Sequence, residues 1–248
     1  MSKARIRAIF LDDGGVMSDN AIRGREWQRL VAEFLAPRLG GEHARWAQAN
    51  DVVWTQHWDG YLAATRSAGE DEFDTAAFWA ESRPRWMREM CEHVGVAAPA
   101  LDECAALARE TEAYVKPRVR AAYQGAAEAI RALTSANYAL YTASGHDSTD
   151  LEDILTGMGV RSCFGAGLYG PDLIGTAKTG RRFHERILAH AGVDPRDALV
   201  VDDWPDAVRW ATAAGATAVL VARDGADAHG AAAVIGSLAE LPAIVGSI

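Results

Sequence analysis

The amino-acid sequence predicts an α/β fold, a Rossmann-like parallel sheet as the core, with a helical domain inserted after the first strand. Three observations carry that prediction. Five short apolar runs have the length and composition of buried strands. The last four are separated by segments of helical periodicity, the pattern of a parallel sheet covered on both faces. Between the first and second runs the chain is nearly all helical, and far longer than the roughly a dozen residues that a crossover needs.

The five runs are residues 6–11, 138–141, 163–168, 198–201 and 216–221. In the long interval, Trp27, Leu30, Val31, Phe34 and Leu35 recur at 3-1-3-1 spacing, which gives a helix one apolar face. Trp86, Met87, Met90, Cys91 and Val94 repeat it, and Leu101, Cys104, Ala105 and Ala108 do so more weakly. Such stripes are the inner faces of a helix bundle. We therefore divide the chain into a core of residues 1–18 and 118–248 and a helical insert of residues 19–117. The segment Tyr114-Val115-Lys116-Pro117 suits a hinge, because proline disfavours helix in the residue before it. Further along, Ala126, Ala129, Ile130 and Leu133 mark one core helix, and Phe183, Ile187 and Leu188 another.

Composition narrows the partners. The 248 residues are 49% hydrophobic and 24% charged, as in ordinary globular proteins. The formal charge of −9 is the opposite of what nucleic acid or an anionic membrane would attract. A phosphorylated small molecule would have to be met by a local cation or a metal. Cys91, Cys104 and Cys163 are too few and too scattered for a disulfide framework or a zinc site, and read as free thiols. No run reaches the length of a signal peptide core or a membrane span, so the expected location is cytoplasmic.

The chemistry-bearing residues sit where strands stop, the edge at which open parallel sheets bind ligands. The first run ends in Leu11-Asp12-Asp13-Gly14-Gly15-Val16 and the fourth in Val201-Asp202-Asp203-Trp204-Pro205-Asp206. Either pair alone is a plausible helix cap. Two apolar runs each ending in such a pair are unusual, and bringing several carboxylates together costs free energy unless a cation neutralises them; Mg²⁺ prefers oxygen ligands of this kind. The second run ends in Tyr141-Thr142-Ala143-Ser144-Gly145, a strand-to-helix turn whose hydroxyl and backbone N–H groups suit an anion. Lys178 lies between this turn and Asp202 in sequence, placed to reach the same pocket as a point charge.

Taken in order, these four pieces resemble the four motifs of the haloacid dehalogenase (HAD) superfamily, and the insert resembles that superfamily's C1-type cap. The form Asp-x-Gly-Gly-Val is most similar to the branch that includes phosphatase domains attached to epoxide hydrolases. The resemblance implies a HAD fold and a Mg²⁺-dependent hydrolase of small phosphorylated metabolites. Asp12 would attack phosphorus and form an aspartyl-phosphate that water hydrolyses. The metal would be held by Asp12, the Gly14 carbonyl and Asp203, with Asp202 the second choice. Thr142, the N–H of Ala143 and Lys178 would hold the phosphoryl oxygens.

The chain departs from the pattern in three places. Gly14 stands where many family phosphatases have a general-acid Asp, a group worth about 10²–10⁴-fold in rate. Asp13 is a poor substitute, since adjacent residues at a strand end point to opposite sides. Asp19 and His57 are the remaining candidates for the acid. The third motif reads Lys178-Thr179-Gly180 where Lys-Pro is common, which leaves Arg181 or Arg182 to share the role of Lys178. In the fourth motif the expected polar position is Ala207, with Asp206 one residue earlier.

The cap would supply specificity. Asn20 and Arg23 follow the first motif and are expected to face the substrate, as are Trp54 and His57 from an aromatic cluster that includes Trp58 and Tyr61. The same aromatics would also serve simply as cap packing. His146 is expected on an exposed helix turn. Two further readings fit these residues: a slow or non-catalytic protein that binds a phosphorylated ligand or a partner, and a C–halogen hydrolase using the same aspartate without metal.

Overall fold

The computed structural model describes residues 6–68, 73–223, 225 and 227–248. Residues 1–5 of the expected core and 69–72 of the expected insert lie outside that set. The sheet is formed by β1 (Ala8–Leu11), β2 (Ala139–Thr142), β3 (Ala198–Asp202), β4 (Thr217–Val221) and β5 (Ala233–Ile235). All pairings are parallel and the order is β2-β1-β3-β4-β5. Leu11 is level with both Thr142 and Val201, so three strands end together beside one another. That register places the two Asp-Asp pairs and the turn after β2 at one edge.

Both sheet faces are buried, which is why the strands read as continuous apolar runs rather than alternating ones. Ile9, Leu11, Leu140, Leu199 and Val201 pack on one side with Ala126, Ile130 and Leu133 of α5 (Ala126–Ser135). Phe10, Tyr141, Val200 and Leu220 pack on the other with Phe183, Ile187 and Leu188 of α8 (Arg181–Ala191) and Val208 of α9 (Pro205–Ala213).

Between β1 and β2 run four helices, α1 (Asn20–Leu39), α2 (His43–Ala68), α3 (Thr75–Val94) and α4 (Leu101–Val115). They bury a core of their own, in which Leu30, Val31, Leu35, Trp46, Met87, Met90 and Cys91 meet Cys104 and Ala108. Asp19 caps α1, its side chain accepting the N–H groups of Ala21 and Ile22. After α4 a 3₁₀ turn, Lys116–Arg118, leads back to the sheet. Its Lys116 ammonium bridges Glu112 of α4 and Asp150 of α6 (Ser148–Gly157), at 3.0 and 2.5 Å, tying the helical unit to the core.

The expected strand at 163–168 is not formed. A 3₁₀ turn covers Arg161–Cys163, and only Gly167 makes a single bridge, to Tyr141. Gly165 and Gly167 deprive this run of side chains to pack, and Gly167 holds a φ of 155°. After it comes the short α7 (Pro171–Ile174) rather than a direct link to Lys178. The fifth strand is instead β5, a three-residue edge strand too short to register as an apolar run. The C-terminal α10 (Leu241–Ile244) closes the chain's ordered elements. All three cysteines are free thiols, and among the described residues no helix is long and apolar enough to cross a membrane.

Candidate active site

The ends of β1 and β3 and the loop before α8 meet at one point. The Lys178 ammonium lies 2.9 Å from Asp12 Oδ1 and 2.7 Å from Asp202 Oδ2. Asp12, Asp202 and Asp203 each offer an oxygen within 4.8 Å of the others. Three carboxylates are thus clustered, and one ammonium binds two of them. Burial drives the Asp12 carboxyl up from its ordinary 3.8 to about 6, with Lys178 opposing and Asp202 adding to the rise. Asp202 and Asp203 are also raised, chiefly by burial, Asp203 further by Asp12. Burial works against the Lys178 charge, but Asp12 and Asp202 together outweigh it and hold the ammonium protonated. Such a cluster has the donor chemistry and spacing for a hard divalent cation.

The two remaining carboxylates of the strand ends differ sharply. Asp13 is fully buried and already neutralised. Arg23 of α1 donates to its Oδ2 at 2.6 Å and Ser18 to its Oδ1 at 2.9 Å, with His146 Nε2 at 3.8 Å. Burial would raise the Asp13 carboxyl, but Arg23, His146 and Ser18 together bring it below its ordinary value. Asp203 instead lies against the backbone of Gly15. Any Cβ at Gly15, whose φ is 79°, would collide with that carboxylate, so glycine is what lets the two strand-end loops close on each other. Arg223 draws the Asp203 pKa down from a distance, while its own hydrogen bond goes to the Gly15 carbonyl at 2.7 Å and its guanidinium stacks on Tyr123.

The turn after β2 is built differently from the expected anion site. Ala143 continues the parallel ladder, and its N–H donates to the Leu11 carbonyl at 2.9 Å, so it is not available to a phosphoryl oxygen. Thr142 is fully buried and its hydroxyl donates to the Tyr169 carbonyl at 3.1 Å. Its one proton is therefore committed. Ser144, two residues on, is the residue that sequence reasoning passed over. It is buried, its Oγ accepts the N–H of His146, and its own proton has no assigned acceptor among the described residues. Its signal was its place two residues past Thr142, the last residue of β2, in the turn that the sequence already marked.

Comparison with known proteins agrees with this architecture. The family described as haloacid dehalogenase-like hydrolase matches residues 6–215. The chain belongs to that family. Among solved structures, the L-2-haloacid dehalogenase of Xanthobacter autotrophicus with chloropropionic acid covalently bound is similar, at 17% identity and a TM-score of 0.65 over 97% of this chain and 98% of that one. The HAD hydrolase YfnB of Bacillus subtilis, bound to magnesium, is 15% identical, with a TM-score of 0.67 over 97% and 99%. A β-phosphoglucomutase homologue of Thermotoga maritima is 16% identical, with a TM-score of 0.61 over 98% and 100%. No curated protein sequence matches.

In this HAD-like hydrolase the expected cap residues separate into two groups. Asn20, the first residue of α1, is at the strand-end cluster: a Cβ built on Gly14 would lie 2.7 Å from its Oδ1. Arg23 is there too, but bound to Asp13 and, at 3.2 Å, to His146. Trp54 and His57 are elsewhere, in a pocket of the helical unit lined also by Trp27, Trp79, Arg83 and Trp86. Both ring nitrogens of His57 are occupied, Nδ1 by Ser82 at 2.5 Å and Nε2 by Glu89 at 2.7 Å. Trp54 stacks on Trp58 and Trp79, and Tyr61 on Trp58 and Trp79.

The substitutes for the missing acid are likewise engaged. Asp19 is a helix cap and His57 a cap-internal hydrogen-bonding residue. His146 lies in the bend before α6, not on a helix turn, because the turn after β2 carries it to Asp13 and Arg23. Burial beside Arg23 holds its pKa below the ordinary value. Arg181 pairs with Glu185 on the open face of α8, away from the role envisaged beside Lys178. In the fourth motif, Asp206 pairs with Arg209 within α9 and Ala207 is buried.

Proposed function

We propose that this HAD-like hydrolase is a Mg²⁺-dependent phosphatase of small phosphorylated metabolites, acting through an aspartyl-phosphate on Asp12. The observation that carries this reading is the clustering of Asp12, Asp202 and Asp203, with carboxylate oxygens within 4.8 Å of one another and Lys178 bound to the first two. A reaction that needs only the aspartate nucleophile has no use for a buried Asp202 and a half-buried Asp203 beside it, since each costs desolvation free energy. Asp12, Asp203 and the Gly14 carbonyl would hold the metal, and Asp202, bound to Lys178, would orient that lysine. Mg²⁺, when bound, supplies the positive charge that phosphoryl transfer requires. Asp12 Oδ attacks phosphorus, the bond to the leaving oxygen breaks, and water then cleaves the acyl phosphate to return the carboxylate and inorganic phosphate. Ser144 and Lys178 are the donors best placed for the phosphoryl oxygens.

The test is turnover of 4-nitrophenyl phosphate by wild type and Asp12→Asn, with and without Mg²⁺. Metal-dependent hydrolysis that falls to background in the variant supports the reading. Folded protein without activity overturns it and favours a binding role. A second reading, C–halogen hydrolysis, is supported by the L-2-haloacid dehalogenases among the structural neighbours and by the direct Lys178–Asp12 contact, which needs no metal. Metal-independent release of chloride from 2-chloropropionate would establish that reading instead.

A further inference from the structure

Around Asp12, the acidic and basic groups named next are each bound to another; Asp203, which lies against Gly15, is the exception. Lys178 holds Asp12 and Asp202, and Asp202 accepts the N–H of Trp204 at 3.0 Å. Asp13 is held by Arg23 and Ser18, and His146 lies against Arg23. Asp19 is used at the start of α1. The side chain that occupies the space over Gly14 is Asn20, whose Oδ1 and Nδ2 lie 2.7 and 3.2 Å from where a Cβ at Gly14 would be. An amide there can hydrogen-bond a departing oxygen but cannot give it a proton.

A second observation lies on the same helix. Trp27 is seven residues after Asn20 in the continuous helix α1, so the two share a face and stand about 10 Å apart. Trp27 lines the pocket that Trp54, Trp79 and Trp86 also line, and Trp86 Nε1 is buried with no hydrogen-bond acceptor among the described residues. The face of α1 therefore runs from an amide at the reacting end to an indole pocket at the other.

We propose that Asn20 is a specificity-determining residue that restricts the enzyme to phosphate esters of acidic hydroxyls, aryl phosphates above all, with the aromatic group directed along α1 toward Trp27. The inference rests on the phosphatase reading given above. In the step it concerns, the bond from phosphorus to the leaving oxygen breaks and the electron pair goes to that oxygen. The Asn20 amide N–H donates a hydrogen bond to it, and the phenolate takes its proton from solvent after departure. An alkyl alkoxide, far more basic, needs a proton as the bond breaks and receives none.

The experiment compares kcat/KM of the Mg²⁺-loaded enzyme for 4-nitrophenyl, phenyl and 2-phenylethyl phosphates. The third keeps the ring and makes the leaving oxygen alkyl. The expected order falls steeply, with 2-phenylethyl phosphate at least about 10³-fold below 4-nitrophenyl phosphate, the scale of a missing general acid. The isosteric Asn20→Asp variant, whose melting temperature is measured alongside, should raise the ratio of 2-phenylethyl to 4-nitrophenyl turnover tenfold or more. Hydrolysis of 2-phenylethyl phosphate within tenfold of 4-nitrophenyl phosphate by wild type would overturn the proposal while leaving the phosphatase reading intact. An unchanged ratio in a folded Asn20→Asp protein would remove Asn20 from the role. No hydrolysis of any ester would overturn the phosphatase reading, and this inference with it.

Discussion

Two neighbouring strands of one sheet end in the same dipeptide, yet the structure treats the pairs differently. Asp12 and Asp202, the first residues of each pair, share Lys178. The second residues part company. Asp13 receives a permanent cation, Arg23, from the helix that follows its strand, and its pKa falls. Asp203 receives none at bonding distance among the described residues, and its pKa rises, chiefly by burial. What an Asp-Asp strand end does is therefore decided by the next element along the chain. On the β1 side, helix α1 closes over Asp13 and turns it into a structural ion pair. On the β3 side, Trp204-Pro205 starts α9, whose one cation, Arg209, pairs with Asp206, and Asp203 stays beside Asp12 and Asp202.

The sharpest way to break this comparison is to neutralise one Asp at a time. Asp13→Asn leaves Arg23, with only 13% of its side chain exposed, without its buried partner. The expected cost is about 3 kcal/mol, toward the low end of the range for a broken buried pair. In a chain of this length that lowers the melting temperature by about 6–12 °C. The Mg²⁺ concentration for half-maximal activity should stay within about threefold of wild type. A large shift in metal requirement with no loss of stability would mean that the two carboxylates have exchanged roles.

The pH dependence of stability tests the same contrast with opposite signs. Asp12 binds its proton more tightly folded than unfolded, at about 6 against 3.8. Its contribution is thus full below its unfolded value and lost as pH rises through about 6. Asp13 is lowered, so its contribution is present above its unfolded pKa and lost as pH falls. Protein in chelator should therefore melt lower at pH 7.5 than at pH 5, and Mg²⁺ should restore it at pH 7.5 only. Equal Mg²⁺ stabilisation at both pH values would contradict the assignment of Asp12 as a ligand. Asp203→Asn should act on that metal effect directly. Activity should need about 10–100-fold more Mg²⁺, while the metal-free protein becomes no less stable.

The sequence disclosed one half of this site more readily than the other. Asp12, Asp202 and Lys178 were readable because an apolar run stopping at an acid marks a strand end, and the register then sets those ends side by side. The pairing of Asp13 with Arg23 was not, because it depends on the angle at which α1 leaves the loop, which no local pattern encodes. The same holds for the Ala143 N–H. Only the register shows that the ladder with Leu11 extends one residue past the apolar run and takes that donor. Residues 163–168 misled because their apolar content suggested a strand that glycines at 165 and 167 do not sustain, while β5 is too short to produce a run. In the cap, helical spacing gave the packing faces. It gave no means of telling that His57 turns inward to Ser82 and Glu89.

The smallest effect separates two adjacent residues at the start of α1. Asp19 and Asn20 both lie just beyond the first motif, and either side chain, judged from sequence, is near enough to matter to the chemistry. The structure gives Asp19 to the helix, accepting two N–H groups of the first turn, and gives Asn20 to the space over Gly14. Asp19→Ala should therefore cost about 1 kcal/mol, the ordinary value of an N-cap, seen as a small drop in melting temperature. Its leaving-group preference should match that of wild type, because the lost bonds belong to the backbone. If Asp19→Ala instead changed the ratio of alkyl to aryl phosphate turnover, the proton donor would be Asp19. The cap would then double as the acid, and Asn20 would be only its neighbour.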